Sequence, residues 1–286
     1  GFMQVYVRDL VTGVTRLASS KTGADAFPAS PAATFSDTPY AISADGRYVA
    51  FIIAGLDLVP GAVTTGGVAN AYVRDLTGNT TTLISVNAAG NDGANAAVNG
   101  VTLSADGSRV AFSSTAQNLD TAVTFPGGAP KTHVFTRLRA AGTPNSVKQA
   151  SVVPAGNAPT NADAFLLAIS PNGRYLAFRA FGTDVVAGVT DTNGGPEVAV
   201  RDLTTGVTLL QSTTPSGTQT GNAGSGASMT TDCKVGDDGR PVFASLASDL
   251  APGAQAPNLY GYALVVPTFT ISGTVTRGGS ALAGVT

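Results

Sequence analysis

One ten-residue phrase returns four times along this chain. ISADGRYVAF begins at Ile42, LSADGSRVAF at Leu103, ISPNGRYLAF at Ile169 and, more degraded, VGDDGRPVFA at Val235. Its turn glycines, Gly46, Gly107, Gly173 and Gly239, stand 61, 66 and 66 residues apart. A second phrase alternates with it. VYVRDLVTGVTRL runs from Val5, AYVRDLTGNTTTL from Ala71 and VAVRDLTTGVTLL from Val198. A weakened copy, HVFTRLRAAG, starts at His133, and NLYGYALV from Asn258 takes the next place. The arginines of this phrase, Arg8, Arg74, Arg137 and Arg201, lie 66, 63 and 64 residues apart. Two interleaved series of one period define a single repeated unit.

Each unit reads as four strands. The first precedes the Asp-Gly turn, the second follows it, VYVRDL is the third and GVTRLAS or TTLISV the fourth. The pairs Asp45-Gly46, Asp106-Gly107, Asn172-Gly173 and Asp238-Gly239 predict two-residue hairpins with positive φ at both central positions. In the second strand, Tyr48, Ala50 and Ile52 share one face and Val49 and Phe51 the other, and neither face is polar. Such a sheet must be covered on both sides. Four-stranded sheets stacked radially, the β-propeller, meet that need. A parallel β-helix would need shorter and more uniform rungs, and tandem immunoglobulin-like sandwiches about seven strands per unit.

A further offset follows each turn glycine. Asp57, Asn118 and Asp184 lie eleven residues after theirs and Asp249 ten after its own, each followed by Leu or Val. This predicts a side-chain cap on the backbone at the end of strand two, with the aliphatic turned inward. Long connections rich in Gly, Ala and Pro then lead to strand three, and are expected to share one rim, a natural place for partner contact.

Composition agrees with sheet and turns. Charged residues make up 12% of the 286, and every acidic residue except Glu197 is Asp. A net charge of -2 and no Trp leave neither a phosphate-tracking stripe nor a stacking platform for nucleic acid. No apolar run is long enough for a membrane span. Cys233, the single cysteine, has no internal partner and reads as a small buried hydrophobe.

These phrases resemble the WD40-like or TolB-like propeller repeats of bacterial envelope and secreted proteins, over nearly all of Met3 to about Val265. The resemblance implies an all-β propeller of four-stranded antiparallel blades outside the cytoplasm, at the cell surface, secreted or periplasmic. It also implies protein contact as a common use, and no particular reaction. The third unit departs at Arg137-Leu138 and the last at Tyr262-Ala263, where altered outer strands are expected. Repeats therefore occupy 1–266. Residues 267–286, with FTISGTVTRGGSALAGVT, begin like an Ig-like or carboxypeptidase-regulatory-like module, so the chain is expected to be a fragment of a larger modular protein. The first unit starts at strand three. Either the last unit's strands close onto it as a four-blade ring, or further blades precede it.

Few residues of this sequence offer catalytic or metal-binding chemistry. A Ser-His-acid device has only His133 available, beside Lys131, and a solvent-exposed structural histidine is the expected role. One His and one Cys cannot build a zinc cluster. No catalytic residue is assigned. Asp191, Asn193 and Glu197 in DTNGGPE offer hard oxygens at alternating positions, so calcium is the one cofactor to test, against the plain reading of a polar turn. Asn79-Thr80-Thr81 matches a glycosylation acceptor and reads as a polar turn. The leading reading is a non-catalytic extracellular scaffold whose rim loops meet a protein partner or further copies of itself. A carbohydrate-active or peptidase-linked enzyme, with catalytic residues such as Asp pairs in the propeller channel or in missing domains, is the alternative.

Overall fold

The computed structural model describes residues 4–23, 40–55, 57–61, 67–142, 144–226, 233–253 and 258–261, with 276–277 and 280–281. Every described regular element is a β-strand. The first sheet pairs β1 (Tyr6–Arg8) with β2 (Thr15–Leu17). Three four-stranded antiparallel meanders follow. They comprise β3 (Ala41–Ile42), β4 (Tyr48–Ile53), β5 (Asn70–Asp75) and β6 (Thr80–Leu83); β7 (Val98–Leu103), β8 (Arg109–Ser114), β9 (His133–Leu138) and β10 (Lys148–Gln149); and β11 (Ala164–Ile169), β12 (Tyr175–Ala180), β13 (Glu197–Asp202) and β14 (Thr208–Leu210). The last sheet runs β15 (Lys234–Val235), β16 (Pro241–Ser245) and β17 (Asn258–Gly261). Here β17 takes the third place beside β16, and β1–β2 remains a separate sheet. In the third unit, β10 is only two residues long, where β6 has four. The Tyr262-Ala263 departure lies outside the described residues. So does most of the expected terminal module, apart from the pair β18 (Thr276–Arg277) and β19 (Ser280–Ala281).

All six residues of β4 are buried. Val49 packs with Ala18 and Leu76, against Val5 and Val7 of the first sheet. Tyr48, Ala50 and Ile52 belong to the cluster that includes Val101, Val110, Phe112 and Val147 of the next unit. The same stacking recurs between the second and third meanders, through Ala111, Val134, Leu166 and Phe178, and between the third and the last sheet, through Ala177, Val198, Val235 and Phe243. The buried Cys233 belongs to this last cluster, and desolvation pushes its thiol up to about 12. Phe51, Phe112 and Phe178 hold equivalent places in strand two and are fully buried, each worth about 2–3 kcal/mol of transfer free energy. The first strands of successive sheets, β3, β7, β11 and β15, also approach one another.

The Asp-Gly hairpins differ from the expected form. Only the glycine takes positive φ (Gly46 +73°, Gly107 +67°, Gly173 +71°, Gly239 +82°), while Asp45, Asp106, Asn172 and Asp238 do not. Ser43 N–H donates to Tyr48 O and Gly46 N–H to Ser43 O, which makes a longer loop around a type I-like turn. The Asp side chain stabilises it from within. Asp45 Oδ1 accepts from Arg47 N–H (3.0 Å) and Ser43 Oγ–H (2.5 Å), and Ser43 Oγ accepts from Tyr48 N–H (2.8 Å). Asp106 and Asn172 repeat the pattern with Ser104 and Ser170, whereas Asp238 keeps only the bond from Arg240 N–H. An acceptor at this position suffices for the loop, so a primed turn is not needed. Adjacent turns are then tied together: Ala44 N–H to Ala105 O, Ala105 N–H to Pro171 O, and Asn172 N–H to Asp237 Oδ1.

Candidate functional site

In an up-and-down meander the connection from strand two to three and the one from strand four to the next strand one leave from the same end. The Asp-Gly and third-to-fourth-strand turns occupy the other end. Loop length is therefore segregated. At the long-loop rim, the connection after β8 and the turn before β11 enclose a cleft of about 270 Å³. Phe125, Pro126 and Pro159 give it apolar walls, and Gln117, Lys131, His133, Thr160 and Asn161 supply polar groups. The loop is fixed at its return by Thr132 N–H, which donates to Asp163 Oδ1 at 2.6 Å. The turn is fixed by Asn161 N–H, which donates to Asp184 Oδ1 at 2.9 Å.

His133 is 2% exposed, so the expectation of a solvent-exposed histidine is corrected. Its place explains why. It is the first residue of strand three, and the corresponding residues Gln4, Asn70 and Glu197 each meet a serine from beyond strand four. Ser19 Oγ–H donates to Gln4 Oε1 (2.5 Å), Ser85 Oγ–H to Asn70 Oδ1 (2.7 Å) and Ser212 Oγ–H to Glu197 Oε2. Ser151 Oγ lies 3.3 Å from His133 Nδ1. In all four, the serine oxygen also accepts the next backbone N–H, from Val5, Ala71, Val134 or Val198, at 2.9–3.0 Å. Desolvation pushes His133 down to about 4 and the Glu197 carboxyl up to about 7. The Ser151–His133 pair is therefore a brace between strands and not a nucleophile with its base. Ser151 is fully buried, and its counterparts do the same work with Gln, Asn and Glu.

Three of the residues eleven or ten positions after the turn glycines, Asn118, Asp184 and Asp249, join reciprocal clasps. Asn118 Oδ1 accepts from Asn95 N–H while Asn95 Oδ1 accepts from Gln117 N–H. Asn161 with Asp184 and Asn222 with Asp249 repeat this, through Thr183 N–H and Ser248 N–H. Each clasp ties the end of strand two to the segment before strand one, so the bond leaves its own strand. Asp57 forms an ion pair with Lys21. The aliphatics that follow, Leu58, Leu119 and Val185, are buried.

The repeat arginines do not converge on one site. Arg8, Arg74 and Arg201 each donate to a threonine on strand four, Thr15, Thr81 and Thr208. Arg74 is fully buried and also donates to Lys21 O and to Asn79 Oδ1. Asn79 of the acceptor pattern thus serves a turn, at φ +53°. Arg137 lacks a threonine partner and donates to Leu83 O and Ala141 O. The Asp of RDL is engaged by the arginine after the turn glycine: Arg47 grips Asp75 at 2.9 and 2.8 Å, and Arg174 grips Asp202. Arg47 holds Asp75 down to about 2, and Asp202 lies well below the usual carboxylate range for the same reason.

Asp191, Asn193 and Glu197 do come together, but with donors and acceptors already matched. Asn193 turns its Nδ2 to Glu197 Oε1 (2.7 Å), and its Oδ1 accepts from Gly195 N–H. Asp191 Oδ1 accepts from the N–H groups of Asn193 and Gly194. Among the described residues, no three His, Cys, Asp or Glu side chains are grouped as metal ligands, and no helix is long and apolar enough to cross a membrane.

No protein-family model and no curated protein matches the chain. Among solved structures it is similar to TolB from Acinetobacter baumannii, at 15% identity over 86% of this chain and 46% of that one, with a TM-score of 0.42. It is also similar to a putative TolB from Agrobacterium tumefaciens, at 13% identity over 86% and 63%, with a TM-score of 0.39. A structure from work on two prolyl endopeptidases gives 15% identity over 85% and 29%, with a TM-score of 0.45. The chain spans less than two thirds of each of these proteins.

Proposed function

We propose that the chain is an arc of a β-propeller that acts outside the cytoplasm as a non-catalytic recognition scaffold, meeting a protein partner or further copies of itself at its long-loop rim. The observation that carries this reading is the segregation of loops. Tight turns fill one end of the stacked sheets, and the long, charge-poor connections gather at the other, around a formed cleft. Two exposed apolar residues support the propeller. Tyr6 (54% exposed) and Val242 (42%) alternate with inward-packed neighbours and so face away from the stack at its two ends, as sheets that meet further sheets would.

Site-specific photo-crosslinking in the producing cells tests the rim. A photoreactive residue at Ala129, on the cleft loop, is expected to give a discrete protein adduct, and one at Thr204, on the tight-turn end, none. An adduct of twice the chain's own mass identifies a second copy as the partner. Adducts from both positions, or from neither, overturn the reading.

A further inference from the structure

The four serine braces assign a proton that the histidine alone does not. Ser19, Ser85 and Ser212 donate to side-chain oxygens, while each serine oxygen accepts a backbone N–H. Ser151 has the same backbone donor, Val134 N–H at 2.9 Å, so its hydroxyl proton is free to point at His133 Nδ1. Nδ1 then accepts, and a neutral ring carries its proton on Nε2. Nε2 makes no hydrogen bond among the described residues, although the side chain is almost wholly buried, and the residue lines the cleft. Phe125 stands over the ring at 5.8 Å between centroids. The cleft therefore holds an oriented donor with no acceptor.

Two carboxylates decide what acceptor fits. Asp163 and Asp184 accept from Thr132 N–H and Asn161 N–H at the edges of the cleft, and the exposed Lys131 is the one cation among its lining residues. An anion would meet net negative charge there, whereas a neutral oxygen would not. Phe125, Pro126 and Pro159 offer apolar contact to small side chains, and Thr160 and Asn161 offer further polar contact. We infer that this cleft binds an extended, uncharged peptide segment of the partner, with one backbone carbonyl accepting from His133 Nε2–H and a small apolar side chain against Phe125, Pro126 and Pro159. This rests on the recognition reading above and names the chemistry of its partner.

The chain has a single histidine, so its imidazole gives one set of nitrogen resonances. Long-range ¹⁵N–¹H correlation spectra at neutral pH are expected to show the Nε2–H tautomer. The Nδ1–H tautomer, or a rapidly averaging ring, overturns the inference. Titration with N-acetyl-trialaninamide is expected to shift the Gly127, Gly128 and Thr160 amides saturably in the millimolar range. His133→Asn should weaken this by about tenfold, the worth of one good hydrogen bond. That variant copies the chain's own solution at Asn70, which makes the same serine brace. Saturable shifts with sodium acetate in place of the peptide, or equal peptide binding by His133→Asn, overturn the inference. If rim adducts persist while the peptide fails, the carbonyl pocket alone is wrong. Peptide binding without rim adducts sinks the larger reading instead.

Discussion

Glycine substitutions at the four equivalent turns separate the backbone's requirement from the stacking of one unit on the next. All four glycines have positive φ, so an alanine costs about 1 kcal/mol at each for its left-handed conformation. Their surroundings differ. A Cβ on Gly46 would meet nothing within 4 Å. On Gly107 it would stand 2.5 Å from Tyr48 Cδ2 and 2.9 Å from Tyr48 Cβ, and on Gly239 2.9 Å from Tyr175 Cδ1. Gly173 is intermediate, with the Cβ atoms of Arg109 and Ser104 at 3.2 Å. Tyr48 cannot swing away cheaply, because the guanidinium carbons of Arg47 and Arg139 lie 4.8 and 3.9 Å from its ring centroid. Displacing it adds about 1–3 kcal/mol, a typical cost of overpacking. Gly107→Ala should thus lose about 2–4 kcal/mol and Gly46→Ala about 1. At about 2–4 °C per kcal/mol for a chain of this size, calorimetry resolves the difference. The expected order of destabilisation is Gly46, Gly173, Gly239, Gly107. Equal losses at Gly46 and Gly107 would refute the claim that each turn is seated on its predecessor's second strand.

Three further predictions concern charge. Glu197 is pushed up to about 7, so the stability it contributes is complete below about pH 4.5 and fades as pH rises through 7, by about 3 kcal/mol at most. His133, buried neutral at about 4, works in the opposite sense: its contribution is present above about pH 6.5 and fades as pH falls toward 4. Denaturation midpoints of Glu197→Gln should therefore drop on acidification across this window, and those of His133→Asn should drop on raising the pH; parallel profiles would contradict both assignments. Asp75, held near 2 by Arg47, contributes stability above about pH 4 that is lost as pH falls toward 2. The gap between wild type and Asp75→Asn should be open at pH 6 and close by pH 2, and a gap of constant size would show that the ion pair is not its source. Titration calorimetry with calcium is expected to give no saturable heat, because Asn193 presents an amide nitrogen to Glu197; millimolar binding abolished by Asp191→Ala would reverse that view.

The period, the four-strand unit and the burial of both sheet faces can all be read from the order of residues. These follow from local rules: side chains alternate along a strand, so a strand apolar on both faces, repeated at fixed spacing, has to be covered twice. Turn glycines were legible for the same reason, although the turn type was not. An Asp that accepts from Ser43 and Arg47 makes a left-handed Asp unnecessary. Which polar groups meet depends on how the folded sheets approach one another. His133 looked exposed beside Lys131, yet it holds the same buried place as Gln4, Asn70 and Glu197, and the matching serines were the sign of it. The partners of Asp184 and Asp75 were hidden because they lie in connecting segments remote in sequence, Asn161 before β11 and Arg47 before β4. Arg47 stands 28 residues from Asp75, and Asn161 stands 23 from Asp184. Strand alternation fixes the face on which a side chain emerges, but its hydrogen-bond partner depends on register and on the approach of neighbouring sheets, which no single strand encodes.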